Sequence, residues 1–301
     1  MIKTIDSEII RDDIRMDAEV VYMQAPDFGG LTTHPLKLSV IYHKTKDIEF
    51  IEDNGGKPGV CDTWSRPEIE KPYPCIMWIC GGGWTITDRF NYIPDLIPLV
   101  HVGFVLVSVE YLGNNAARFP SQICELKSAV RYIRKHANQY HIDPDRIAVM
   151  GESAGGYYTN MIAATNGVKE FDVGDNLDVS SDVQAGVCWY GPEECTIDEK
   201  CGIKYMHYLS MRGAYDGVPE EIRANANPVK YLSEKTPPMM IVHGIEDACV
   251  EIWRGDQWHD DLEKAGVHVE MLKVRGAGHA DIRFFQPAVL DEITGFLNRN
   301  M

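Results

Sequence analysis

The residues best suited to chemistry lie in "RIAVMGESAGGYYTNMIAA". Gly151-Glu152-Ser153-Ala154-Gly155 matches G-x-S-x-G, with a buried strand pattern before it and a small-residue helix pattern after it. Such a turn strains the serine backbone and leaves no room for side chains at its flanks, which is why small residues surround it. A serine hydroxyl is a weak nucleophile at neutral pH, so it needs a base within reach and a partner that fixes the base's tautomer. The chemistry implied is acyl transfer through Ser153. Glu152, at the variable position of the motif, is expected to hydrogen-bond locally.

The base is sought after Ser153, where the chain carries His207, His243, His259, His268 and His279. His279 lies in "VRGAGHADI", a glycine-rich loop directly after the last strand pattern, and is the expected base. His207, in a polar loop region, is the second candidate. His243 ends a strand pattern and is expected to brace the next turn, His259 falls in a charged helix, and His268 falls at or in a strand. For the acid, "HGIEDACV" offers Glu246 and Asp247. Asp247 is preferred because a short side chain held in a turn makes the more rigid partner for an imidazole. Glu246 is then a solvated carboxylate, and Asp281 stands too close in sequence to His279 to reach its ring well.

An attacked carbonyl becomes an anion and needs donors where its oxygen will lie. "WICGGGW" supplies them: three glycines after the apolar run "CIMWIC" present bare N–H groups. Gly82, Gly83 and the residue after the nucleophile, Ala154, are the expected oxyanion donors. Cys80, just before the glycines, is expected to fill a place rather than react, since Ser153 already has the turn and the base. Trp84, Tyr157 and Tyr158 flank these groups and could shape a substrate pocket or be plain core. No metal or other cofactor is expected.

The elements that must hold these groups alternate. Strand patterns run over Leu36 to His43, Cys75 to Cys80, Phe104 to Tyr111, Arg146 to Gly151, Val183 to Gly191, Met239 to Gly244 and Val267 to Val274. Several are continuously apolar, as strands covered on both faces must be. Helical spacing runs over Ser121 to Tyr140, with Ser121 expected as the N-cap, and over Ser153 to Thr165, Ile252 to Ala265 and Pro287 to Asn298. Alternation of this kind predicts an α/β fold: one mainly parallel sheet, helices on both faces, a single domain over residues 1–301. Two segments break the rhythm. Lys44 to Pro74 reads as a long surface excursion, and Pro192 to Pro238 as a lid insertion above the edge where ligands bind.

The chain has 301 residues, 45% of them hydrophobic and 25% charged, enough to bury a large core. A formal net charge of -16 excludes nucleic acid and anionic membrane as main partners. No stretch has the length of a membrane span, and "MIKTIDSEII" has no apolar core of the secretory kind, so a cytoplasmic setting is expected. The eight cysteines form no C-x-x-C pair; Cys195 and Cys201 could pair if the protein were exported.

"CGGGW", "VEYLGNNAARFPSQICELKSAVRYIRKHANQYHIDPDRIAVMGESAGG", "ANPVKYLSEKTPPMMIVHGIEDACV" and "VRGAGHADI" together resemble the hormone-sensitive-lipase-like branch of the α/β-hydrolases. The closer resemblance is to bacterial feruloyl-esterase-like or acetyl-esterase-like proteins, and it covers about Pro74 to Met301 in the expected order. It implies a Ser153, Asp247 and His279 triad, an oxyanion hole of Gly82, Gly83 and Ala154, and small acetyl or hydroxycinnamoyl esters of plant-derived saccharides as substrates. The chain departs from that pattern at Cys80, where histidine is usual, and in the length of the Lys44 to Pro74 segment. An amidase, arylformamidase or exopeptidase, or a non-catalytic binder, would use the same scaffold, and a homo-oligomer is left open.

Overall fold

The computed structural model describes residues 2–6, 13–26, 30–44, 71–114, 116–192 and 220–301. Most of the surface excursion and of the lid segment, with His207, Cys195 and Cys201, therefore lies outside the described residues.

Eight strands form one sheet: β1 (Ile14–Pro26), β2 (Thr33–His43), β3 (Tyr73–Ile79), β4 (Val105–Val109), β5 (Ile142–Glu152), β6 (Ala185–Trp189), β7 (Met239–Gly244) and β8 (Val269–Val274). Their order is β1-β2-β4-β3-β5-β6-β7-β8. The β1/β2 and β2/β4 pairs are antiparallel, and every pair from β4 to β8 is parallel. The helices are α1 (Ile93–His101), α2 (Ser121–Lys135), α3 (Ala154–Ala164), the short α4 (Glu220–Asn225), α5 (Ile252–Lys264) and α6 (Pro287–Asn300).

The two faces of the sheet explain the continuous apolar runs. Cys75, Met77, Val107 and Val149 pack with Leu126, Val130, Met161 and Trp258 from α2, α3 and α5. Their alternates Ile76, Trp78, Leu106 and Met150 pack with Leu96, Leu99, Ile293 and Phe296 from α1 and α6. Every residue of β4, β6 and β7 is buried.

Three expectations about elements are corrected, and two elements were not expected. Ser121 is not an N-cap: Pro120 occupies that position, and no side chain caps the helix. The expected helix to Tyr140 ends at Lys135 and continues as a 3₁₀ turn over Ala137–Tyr140. Strand β5 starts earlier than Arg146, because Ile142 pairs with Tyr73. Strand β1 and helix α1 carry no expectation at all. In β1 charged residues alternate through a bulged edge strand, and α1 has a proline inside it.

One buried carboxylate ties α2 to the loop after β4. Glu125 is 2% exposed, and its Oε2 accepts the Leu112 N–H at 2.8 Å. Burial pushes this carboxyl from 4.5 up to about 7, with the Leu112 N–H opposing the shift. The folded chain then keeps a proton that the unfolded chain releases, so stability falls as pH rises from 4.5 towards 7 and levels off above it. Glu125→Gln keeps the acceptor without the charge. It is expected to stabilise the fold by about 2–3 kcal/mol near pH 8 and to change little near pH 4, read from thermal melts at both. An equal effect at the two pH values would count against this account.

Candidate active site

The parallel strands deliver the site at their carboxyl ends. Loops leaving β3, β5, β7 and β8 carry the glycine run, Ser153, Asp247 and His279 respectively, on the edge where open α/β sheets bind ligands.

Ser153 sits between β5 and α3 with φ 54° and ψ -118°, a strained conformation for a residue with a side chain. Such strain costs about 1–3 kcal/mol and persists only where neighbours impose it. Here the Ser153 N–H donates to Trp189 O at 3.0 Å and the Ser153 carbonyl accepts Tyr157 N–H at 3.1 Å. Gly155 shows why the motif needs small residues: a Cβ there would lie 2.0 Å from the Ile79 carbonyl oxygen.

His279 Nε2 lies 2.9 Å from Ser153 Oγ, and Nδ1 lies 2.8 Å from Asp247 Oδ2. An ionised carboxylate can only accept, so Nδ1 carries the proton and Nε2 is free to take one from the serine. Asp247 is held in turn: its Oδ1 accepts the Cys249 and Val250 N–H groups at 2.8 and 2.9 Å, and its side chain is fully covered. His243, buried at the end of β7, donates from Nε2 to Val250 O at 2.8 Å and so braces the turn, as expected. Burial pushes its imidazole towards the neutral form. The Tyr190 ring meets the His279 ring edge-on at 4.8 Å, a contact that sequence reasoning missed.

The other candidates fall elsewhere. Glu246 and His268 are exposed. His259 sits on α5 beside Asp260 and Glu263, with its Nδ1 3.8 Å from Glu263 Oε2, away from Ser153. Asp281 caps the turn over Ile282–Phe285 and pairs with Arg283, whose backbone N–H and guanidinium hold its carboxyl below the usual range.

The glycine loop leaves β3 with Gly82 and Gly83 exposed. Gly82 has φ 127°, and a Cβ on it would lie 2.3 Å from Ile86 O. The Gly82 carbonyl accepts Thr85 and Ile86 N–H groups at 3.2 and 3.1 Å, which turns the following N–H, that of Gly83, the opposite way. Ala154 opens α3, whose first turn leaves its N–H without an intrahelical acceptor. Trp84 is 3% exposed and meets Tyr157 edge-on; Tyr157 donates to Ala226 O at 2.7 Å, and Tyr158 packs on Tyr111.

Glu152 corrects the sequence reading. Its partner is not local: Oε1 accepts the N–H of Gly81, 71 residues away, at 2.5 Å. The reason is the sheet, since β5 and β3 are neighbours and their ends lie side by side. Cys80 is 2% exposed, and burial, with the Glu152 charge second, pushes its thiol up to about 12. A thiol of that kind is not ionised near neutrality and is a poor nucleophile. Its Sγ reaches Glu152 Oε1 only at 3.8 Å. Cys80→Ala is therefore expected to keep kcat/KM for an ester within about threefold, because no short hydrogen bond is lost. A drop matching that of Ser153→Ala would overturn the assignment.

The BD-FAE family matches the chain over residues 61–262. The chain belongs to the BD-FAE family. Esterase LipQ of Mycobacterium tuberculosis is 28% identical over 90% of this chain and 70% of its own length. The probable carboxylic ester hydrolase LipM of the same organism is 26% identical over 83% of this chain, which spans 60% of LipM. Among solved structures, a truncated carbohydrate esterase from gut microbiota has a TM-score of 0.74 at 22% identity, covering 95% of this chain and 96% of that one. The fold is that of the α/β-hydrolases. Among the described residues, no helix is long and apolar enough to cross a membrane.

Proposed function

We propose that this esterase hydrolyses small carboxylic esters through an acyl-enzyme on Ser153. The observation that carries the reading is the unbroken chain from Asp247 Oδ2 through His279 to Ser153 Oγ, with links of 2.8 and 2.9 Å.

Ser153 Oγ attacks the ester carbonyl as His279 Nε2 takes its proton, and Asp247 stabilises the imidazolium that forms. The N–H groups of Gly82, Gly83 and Ala154 receive the oxyanion. The tetrahedral intermediate then expels the alcohol, which leaves with the proton from Nε2. Water, deprotonated by the same nitrogen, attacks the acyl-enzyme and releases the acid.

The resemblance to feruloyl- and acetyl-esterase-like proteins supports acetyl or hydroxycinnamoyl esters of plant-derived saccharides as substrates. The names of LipQ and LipM support ester rather than amide cleavage. The test compares turnover of p-nitrophenyl acetate with that of p-nitroacetanilide, beside a panel of acetylated and feruloylated oligosaccharides. Faster ester cleavage is expected; faster anilide cleavage would replace this reading with an amidase.

A further inference from the structure

We infer that Glu152 is the positioning residue of the glycine loop: its carboxylate, adjacent to the nucleophile, fixes the peptide between Cys80 and Gly81 and thereby sets where the oxyanion donors lie. This rests on the acyl-transfer reading above.

The Cys80–Gly81 peptide is gripped at both ends. Its carbonyl accepts the Tyr111 hydroxyl at 2.9 Å, and its N–H donates to Glu152 Oε1 at 2.5 Å. A trans peptide points these two groups in opposite directions, so the two grips together stop it rotating. Farther along, the Trp84 carbonyl accepts the Asn114 N–H at 2.8 Å. Gly82 and Gly83 are thus strung between two fixed points, exposed but not free to wander.

The carboxylate is costly to keep there. Glu152 is 4% exposed, and burial pushes its pKa up, against the pull of the Gly81 N–H and of His279. The Tyr190 hydroxyl and the Cys80 thiol lie beside it and oppose the burial more weakly than the Gly81 N–H does. A buried carboxylate needs partners to persist, and a charged acceptor makes a shorter, stronger bond to an N–H than a neutral one does. The contact is also tight: a Cβ on Gly81 would lie 2.4 Å from Glu152 Oε1.

The functional consequence follows from adjacency. Glu152 and Ser153 share one strained turn, so the group that aims the donors and the group that attacks are referenced to the same backbone. Oxyanion stabilisation depends steeply on donor position, because the donors act only where the charge develops. The hold on the loop, which a histidine at position 80 could give through its ring, lies here with a carboxylate. The Cys80 thiol only touches that carboxylate.

The test uses the full chain and three variants, with turnover of p-nitrophenyl acetate, thermal melts and inhibition by phenylboronic acid, whose tetrahedral adduct places an oxygen in the hole. Glu152→Met keeps the length and removes the acceptor, Glu152→Gln keeps an acceptor without charge, and Glu152→Ala removes both. Met and Ala are expected to lower kcat by about 10- to 100-fold with KM within about threefold, and to weaken phenylboronic acid in step with kcat. Gln is expected to stay within about fivefold of the unaltered chain, because its amide oxygen still accepts the Gly81 N–H. If Ala does not fold, the Met and Gln pair decides. A folded Met variant with unaltered kcat, or a Gln variant as damaged as Met, would overturn the inference while leaving the acyl-transfer reading intact. An unaltered chain that neither turns over ester nor labels at Ser153 would overturn that reading, and this inference with it.

Discussion

Replacing Ser153 with alanine is expected to lower kcat/KM for p-nitrophenyl acetate by about 100,000-fold, to a residue set by the oxyanion donors and binding alone. The effect is this large because Ser153 Oγ is the hydroxyl that His279 Nε2 faces at 2.9 Å. Cys80 is buried with its thiol pushed up to about 12. The fold should survive the change: the bonds that impose the turn, Ser153 N–H to Trp189 O and Tyr157 N–H to Ser153 O, belong to the backbone. A thermal midpoint close to that of the unaltered chain therefore accompanies the expected loss. A variant that retained a tenth of the turnover would place the nucleophile elsewhere.

Asp247→Asn is expected to cost about 1,000- to 10,000-fold in kcat, although it changes one atom. Asp247 Oδ1 is committed to the N–H groups of Cys249 and Val250, so the amide oxygen of Asn must take that side. The amide NH₂ then faces His279 Nδ1, where a carboxylate oxygen had accepted at 2.8 Å. Two donors cannot face each other, so the imidazole adopts its other tautomer. Nε2 would then carry the proton and point it at Ser153 Oγ, unable to take the serine's own. Glu246→Gln, one residue away and exposed, is the control and should stay within about twofold, as surface changes away from the chemistry usually do. Equal losses from both would mean that the acid had been assigned wrongly.

The strongly local features of the site were legible in the sequence. Gly151 to Gly155 declares its turn because only small residues fit beside Ile79, and the order of serine, acid and histidine narrowed the search to the loops after the last two strands. Asp247 was separable from Glu246 on side-chain length, and the structure puts only Asp247 against His279. What could not be read were contacts made by the sheet. Glu152 and Gly81 stand 71 residues apart, and only the β3/β5 pairing brings them together. Tyr190 against His279 depends likewise on β6 lying between β5 and β7. Strand β1 escaped for a different reason: at the sheet's edge its residues alternate between cover and solvent through two irregularities, and the period-2 pattern breaks at each.

The central claim is that Ser153 is the acylated nucleophile, and covalent labelling tests it most directly. The folded chain is treated with a fluorophosphonate, digested, and the modified peptide mapped by mass spectrometry. The account predicts close to one label per chain on the peptide containing Ser153, loss of esterase activity in proportion to labelling, and no label on Ser153→Ala. A folded chain that turns over ester yet stays unlabelled at Ser153, or carries its label on another residue, would contradict it.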